Sequence, residues 1–226
     1  MTTQTQTTLS IGVIGLGAMG KGMASSLRRA GHHVSVCDVR YEAAEAFAQE
    51  GGTAHKTPAA LAQAADIIVS VVVNADQTEQ VLFGANGAAA HMKAGSLFIM
   101  CSTVDPNWSV ALEKRLNDMG LLYLDAPISG GAAKAASGQM TMMTSGQAAA
   151  YTKAGNALES MAAHVYKLGD RAGYGSKVKI INQLLAGVHI AAAAEAMALG
   201  LREGVAADAL YEVITNSAGN SWMFEN

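Results

Sequence analysis

The chain has 226 residues, half of them hydrophobic and 15% charged, with a formal net charge of −3. That length holds one full α/β domain and part of a second, and the composition excludes a disordered chain. The mild negative charge, with no basic stripe and no interleaving of basic and aromatic residues, argues against a nucleic-acid partner. Residues 1–10 are rich in Thr and Gln and read as a frayed start, without the basic residues that open a signal peptide. Residues 9–14 predict a strand, 19–30 a helix, 33–38 a strand and 42–50 a helix. The nearly unbroken Ile/Val run at 65–73 predicts a strand buried on both faces. A short helix at 77–82, a strand at 97–100, a helix opened by Pro106 and running to about 119, and a strand at 121–124 follow. Residues 140–144 and 165–167 read as strands around a helix at 147–162. Repeated β–α–β units of this kind predict an α/β fold with a doubly wound, mostly parallel sheet.

From Gly173 the texture changes. Residues 176–201 read as one long helix, apolar nearly all round, and 205–215 as another. A helix of that kind must be covered by the first domain, by other helices or by a second subunit, so a homo-oligomer is expected. The most apolar stretch, 180–194, carries Asn182, Gln183 and His189 and is shorter than the ~20 residues of a membrane span, so no membrane contact is expected. Cys37 and Cys101 read as small apolar fillers at strand ends; with no disulfide framework, a reducing cytoplasm is the expected location.

The run Gly15-Leu16-Gly17-Ala18-Met19-Gly20 lies between the first strand and the first helix. Gly15 permits a tight turn, Gly17 lets backbone amides approach a pyrophosphate, and Gly20 lets the helix lie close to the strand. The helix start adds unpaired N–H groups and a partial positive charge. Asp38, closing the second strand, stands where a carboxylate accepts from ribose hydroxyls. The order strand, glycine loop, helix, strand, acid predicts a bound dinucleotide, NAD, in a domain spanning 9–169. A P-loop would need Ser or Thr at position 22 to hold magnesium, and the residue there is Gly22, which leaves Lys21 as a surface residue. The bland alternative is a glycine turn with no ligand.

Ligands of open α/β sheets bind beyond the carboxyl ends of the strands. Asn74, Ser102, Thr103 and the loop 125–131 lie there, and no His/Cys/Asp/Glu cluster has the spacing of a metal site. In 126–131, Pro127 fixes the chain, and Ser129-Gly130-Gly131 offers consecutive backbone amides, a nest for an anion such as a substrate carboxylate. An ordinary strand-end turn is the alternative. Lys179, Asn182 and Gln183 are spaced i, i+3, i+4 and so share one face of the long helix. Taken alone, Lys179 could be a snorkelling surface lysine; beside two amides at a domain junction it reads as functional.

Gly15-Leu-Gly-x-Met-Gly20, Ser102-Thr103, Asp125-Ala-Pro-Ile-Ser-Gly-Gly131 and Gly173-x-Gly-x-x-x-Lys179-x-x-Asn182 occur in that order. The chain, from about residue 9 to its end, closely resembles the β-hydroxyacid dehydrogenases, which include 3-hydroxyisobutyrate dehydrogenase and tartronate semialdehyde reductase. The resemblance implies a Rossmann-type sheet followed by an all-α domain at 173–226, and a small hydroxy acid as substrate. It also implies Lys179 as catalytic acid/base, Ser129, Gly130 and Gly131 on the substrate carboxylate, Asn182 on the substrate, and Thr103 beside the nicotinamide. Gln183 stands where many members have a second Asn, which bears on substrate preference. Residues 179–199 and 218–226 resemble members that act on a four-carbon sugar acid. In the family, later helices carry a further lysine near the cofactor, so the helical domain reads as unfinished at Asn226. A cofactor-binding sensor or assembly module is the non-enzymatic alternative.

Overall fold

The computed structural model describes residues 8–226; residues 1–7, part of the expected frayed start, lie outside the described residues. The chain divides into two compact units, Met1–Lys179 and Ile180–Asn226. In the first, the order is β1 (Ser10–Ile14), α1 (Gly20–Arg29), β2 (His33–Cys37), α2 (Tyr41–Gln49), β3 (Thr53–Ala54), α3 (Pro58–Ala64) and β4 (Ile67–Ser70). It continues with α4 (Ala75–Phe83), β5 (Leu97–Met100), α5 (Pro106–Asp118), β6 (Leu122–Asp125), β7 (Ile128–Ser129) and α6 (Gly131–Ser137). The unit closes with β8 (Met140–Thr144), α7 (Ala148–Ala154), α8 (Ala157–Met161) and β9 (Ala162–Lys167). Helix α9 (Tyr174–Arg202) then starts, and α10 (Ala207–Thr215) and α11 (Trp222–Glu225) belong to the second unit.

Six strands form one all-parallel sheet in the order β3-β2-β1-β4-β5-β6. This is the doubly wound dinucleotide-binding order, with its switch point between β1 and β4. The strands read as apolar runs because both faces are covered. In β5, Leu97 and Ile99 join the core on one face while Phe98 and Met100 join the core on the other. Each such side chain, fully buried, contributes about 1.5–3 kcal/mol. The face with Leu97 packs against Met23, Ala24 and Leu27 of α1. Leu112 and Leu116 of α5 lie in the other.

The sequence-based elements differ from the observed ones in four places. The strand expected over 65–73 stops at Ser70, because its partner β1 ends at Ile14 opposite Ser70 and the chain turns away at Gly15. Val73, beyond the strand, is 74% exposed. The helix expected over 147–162 breaks at Gly155, whose φ of 54° no regular helix accepts, and becomes α7 and α8. Residues 140–144 and 165–167 do not extend the main sheet. They lie in a second, three-stranded sheet of order β7-β8-β9, because β7 reverses and pairs antiparallel with β8. The short elements β3, α3, β7, α6 and α11 have at most seven residues each, too few for a period to show.

In the second unit, Gly200 lets the chain of α9 lie against Leu210 of α10, where a Cβ would collide with the leucine side chain. Tyr211 of α10 stacks on Phe224 of α11 with ring centroids 5.7 Å apart. Helix α9 has 29 residues and a mean hydropathy of 1.7 over its most apolar window. By length and composition it is long and apolar enough to cross a membrane, so the argument that this stretch is too short to span one does not hold. The apolar run does not stop at residue 194, since Ala, Leu and Met continue to Leu201.

Candidate active site

The glycine loop does what its residue types require. Gly15 sits at φ 94° and donates its N–H to the Cys37 carbonyl at 2.9 Å. A Cβ at Gly20 would collide with the Gly15 carbonyl, so the start of α1 lies against the loop. Around Gly17 there is open space for 4 Å in the direction of a side chain, which leaves the backbone free to meet a ligand. No side chain caps the start of α1, so its first amides are available to an anion. Lys21 pairs with Glu50 at 3.0 Å on the surface and does not face the loop as a P-loop lysine would.

Asp38 joins the loop to the end of β2. One carboxylate oxygen accepts from Leu16 N at 2.6 Å and the other from Arg40 N at 2.8 Å. Each carboxylate oxygen has a second lone pair, so the same group can still accept from ribose hydroxyls. Gly15, Gly17, Asp38, Val39, Val72 and Val73 line a groove of about 700 Å³. Val39 is fully exposed there, an apolar platform of the kind a planar base covers. The open Gly17, the uncapped helix start and the nearby acid together fit a dinucleotide.

The other strand ends divide in role. Asn74 is exposed and caps α4 by accepting from Gln77 N at 2.9 Å. Ser102 is buried, donates to the Val72 carbonyl at 2.8 Å and lies 3.1 Å from the Thr78 hydroxyl. Its hydroxyl therefore ties the loop after β5 to the loop after β4. Thr103, next in the chain, is exposed.

Ser129 ends β7 half-buried; Gly130 (φ 135°) and Gly131 (φ 74°) then make the turn into α6. No side chain caps α6, and a Cβ at Gly130 would come within 3.0 Å of the Lys134 side chain. The loop thus presents backbone rather than side chains.

Lys179 lies one turn into α9 and is 8% exposed. Among the described residues, no carboxylate pairs with it. Burial holds its amine below the usual lysine range. Asn182 and Gln183 follow three and four residues on; Asn182 is half-buried and Gln183 exposed. Among the described residues, no group of three or more His, Cys, Asp and Glu side chains could hold a metal ion.

Sequence reasoning placed Asp125 only as the first residue of a loop. In the structure it is fully buried and accepts four hydrogen bonds. Three come from the start of α9: Gly173 N and Ser176 N at 2.9 Å each, and Ser176 Oγ at 2.7 Å. The fourth is from Ser145 Oγ, which also accepts from Gly175 N at 2.9 Å. A Cβ at Gly175 would strike the Met143 carbonyl, which explains the glycine. Glu113 adds an acceptor for Ala172 N at 3.1 Å, and burial raises its pKa.

Comparison with known proteins agrees with this geometry. Residues 10–169 match the family model described as the NAD-binding domain of 6-phosphogluconate dehydrogenase. Residues 173–226 match the model described as NAD-binding of NADP-dependent 3-hydroxyisobutyrate dehydrogenase. The chain is 64% identical to an L-threonate dehydrogenase of Cupriavidus necator over 96% of this chain and 73% of that protein. An Escherichia coli K12 protein of the same name is 46% identical over 96% of this chain and 72% of its own length. A crystal structure of a 3-hydroxyisobutyrate dehydrogenase from Salmonella typhimurium superposes with a TM-score of 0.92 at 47% identity, covering 96% of this chain and 75% of that one.

Proposed function

Because the chain belongs to the β-hydroxyacid dehydrogenase family, we propose that it oxidises L-threonate with NAD and that Lys179 is the acid/base. As a member, it is an oxidoreductase that uses a nicotinamide dinucleotide and a small hydroxy acid. The relatives named for L-threonate support the substrate. The observation that carries the mechanism is a lysine buried at the start of α9 with its pKa lowered by that burial.

When bound, NAD supplies the hydride acceptor. The chain's own residues bind, orient and move the proton. The Ser129–Gly131 backbone offers amides to the substrate carboxylate, and Asn182 and Gln183 are proposed to contact the rest of the substrate. Lys179, whose charge is disfavoured by burial, accepts the proton of the substrate hydroxyl. On the cofactor side, Gly15, Leu16, Gly17, Ala18, Met19 and Gly20 face the pyrophosphate. Asn74, Ser102 and Thr103 are proposed to border the nicotinamide end, Ser102 by shaping its loop. Asp38 accepts from the ribose and repels a 2′-phosphate, which favours NAD over NADP. The 3-hydroxyisobutyrate reading is the second one, supported by the name of the Salmonella structure.

An assay with NAD and NADP against L-threonate, 3-hydroxyisobutyrate and glycerate, the alcohol that corresponds to tartronate semialdehyde, decides between these readings; the highest kcat/KM is expected for L-threonate with NAD. Oxidation should accelerate as pH rises through the lowered pKa of Lys179, and reduction should slow, because one direction needs the neutral amine and the other the protonated one. Lys179→Ala should lower kcat by about 10²–10⁴-fold while NAD still binds. An unchanged kcat across the pH range would remove Lys179 from the mechanism. We further propose a homo-oligomer assembled through residues 176–201, on the strength of exposed Ile181, Leu184, Leu185 and Val188. Free, buried Cys37 and Cys101 are compatible with a cytoplasmic location.

A further inference from the structure

The start of a helix leaves several amides without partners, and these are ordinarily satisfied by a side chain just before the helix. In α9 that task falls to residues far away in sequence. Asp125, at the end of β6, takes Gly173 N, Ser176 N and Ser176 Oγ, and its neighbour across a β-bridge, Ser145, takes Gly175 N. The acid is itself fixed: its backbone N–H and C=O both pair with Ser145, at 3.0 and 2.8 Å. Burial first, and the charge of Asp125 after it, raise the pKa of Cys101, Glu113, Tyr123 and Tyr151. Lys179 stands three residues beyond Ser176 on the same helix, so a shift of the first turn carries the amine with it.

We propose that Asp125 is a positioning residue: by seizing the first turn of α9 from the end of a sheet strand, it sets where the Lys179 amine stands. The inference rests on Lys179 being the acid/base and adds a residue that touches neither substrate nor cofactor. A carboxylate suits this place because all the groups it meets are donors, and because it faces the positive end of the helix. An amide can keep its oxygen on the two N–H groups, but it puts an NH₂ where the Ser176 hydroxyl now finds an acceptor, and it brings no negative charge to the helix start.

The test uses the full chain with 13C-methylated lysines, the Lys179 signal being assigned by its absence in Lys179→Arg. Its titration midpoint is followed in the unmutated protein, in Asp125→Asn and in Ser176→Ala, with Tm measured beside it. If the clamp holds the amine in its buried place, both variants move the midpoint up, toward the ~10.4 of a free lysine. Asp125→Asn should move it more. Loss of a negative charge acting directly on the amine would move the midpoint down, and a purely architectural acid would lower Tm with the midpoint fixed; either result overturns the proposal. If Asp125→Asn does not fold, Ser176→Ala decides.

Turnover supplies the second arm. Asp125→Asn should lower kcat by about 10²-fold, the cost of roughly 1 Å of misplacement, with NAD affinity unchanged. The same substitution placed on Lys179→Ala should lower kcat no further, because the amine it positions is gone. An equal loss in both backgrounds would sink the idea. Full kcat in Lys179→Ala alone would refute the acid/base reading, whereas the titration would still report whether Asp125 holds the amine.

Discussion

The two units of this chain treat their apolar residues in opposite ways. In the first, Ile11, Val13, Phe47, Ile67, Phe98 and Leu116 are at most 1% exposed, and helices cover both faces of the sheet. In the second, α10 and α11 bury no residue at all, and Ile181, Leu184 and Leu185 on α9 are 54–67% exposed. Both units are rich in apolar residues, the second more so than the first. The difference teaches that composition fixes how much must be hidden, while topology decides whether the chain can hide it from itself. A sheet with helices on two sides closes its own core; within residues 180–226 the helices leave Ile181, Leu184 and Leu185 uncovered.

The sharpest way to break this comparison is to truncate one large apolar side chain in each unit. Phe98→Ala should cost about 3–5 kcal/mol in urea unfolding, the usual range for a fully buried aromatic. Leu184→Ala, removing a side chain from an exposed face, should stay within about 0.5 kcal/mol in dilute protein. If both were costly, the second unit would already be covered in solution. The glycine loop sharpens the contrast inside the first unit. Gly20→Ala meets the Gly15 carbonyl and should destabilise by roughly 1–3 kcal/mol. Gly17→Val meets open space, so Tm should hold while NAD Kd, read by NADH fluorescence, rises at least about 10-fold, or 1.4 kcal/mol. Retained NAD affinity would mean that the cofactor does not pass over Gly17.

Leu184→Glu is expected to shift sedimentation at micromolar concentration toward a smaller species with little change in Tm, since a charge there spoils a covering surface but no internal core. A sedimentation profile equal to that of the unmutated protein would place any subunit contact elsewhere. The smallest effect belongs to Lys179→Met. Its folded-state pKa lies below that of the unfolded chain, so the unfolded state binds more protons between the two values and the lysine lowers stability as pH falls. The apolar replacement should raise Tm at neutral pH by about 2–4 °C for each kcal/mol of relieved burial, and the gain should shrink at high pH.

The legibility of these features in sequence follows how local each one is. The β1–Gly15–α1–β2–Asp38 unit could be read because its signals lie within thirty consecutive residues, and Leu16 N on Asp38 spans only 22 positions. Strands β5 and β8 carry bounds that the apolar runs mark directly. Helix α3 carried its own signals, Thr57 capping and Pro58 opening it, yet its seven residues were too few to show a period. Ser102 stood in the right place for a ligand, but its partner Val72 is 30 residues away, and no local pattern reveals that its hydroxyl is already engaged. Asp125 is the extreme case. Its partners lie 48 and 51 residues on, so only the fold reveals that an acid at a strand end is the cap of a distant helix.

The contact between α1 and α6 has a consequence for anyone who would redesign this protein. Gly22 of α1 lies against the Ala135 and Ala136 backbone so closely that a Cβ would strike it, and Ser26 and Arg29 both donate to carbonyls of that pair. One of these helices starts at the pyrophosphate loop, the other at Gly131. The helices that follow the two proposed recognition loops are therefore packed against each other, and the loops are not interchangeable modules. A substrate loop grafted from a distant homologue would need to bring its small-residue helix with it. A library that randomises 129–131 while leaving 132–136 untouched has the better prospect of yielding folded variants with altered substrate choice.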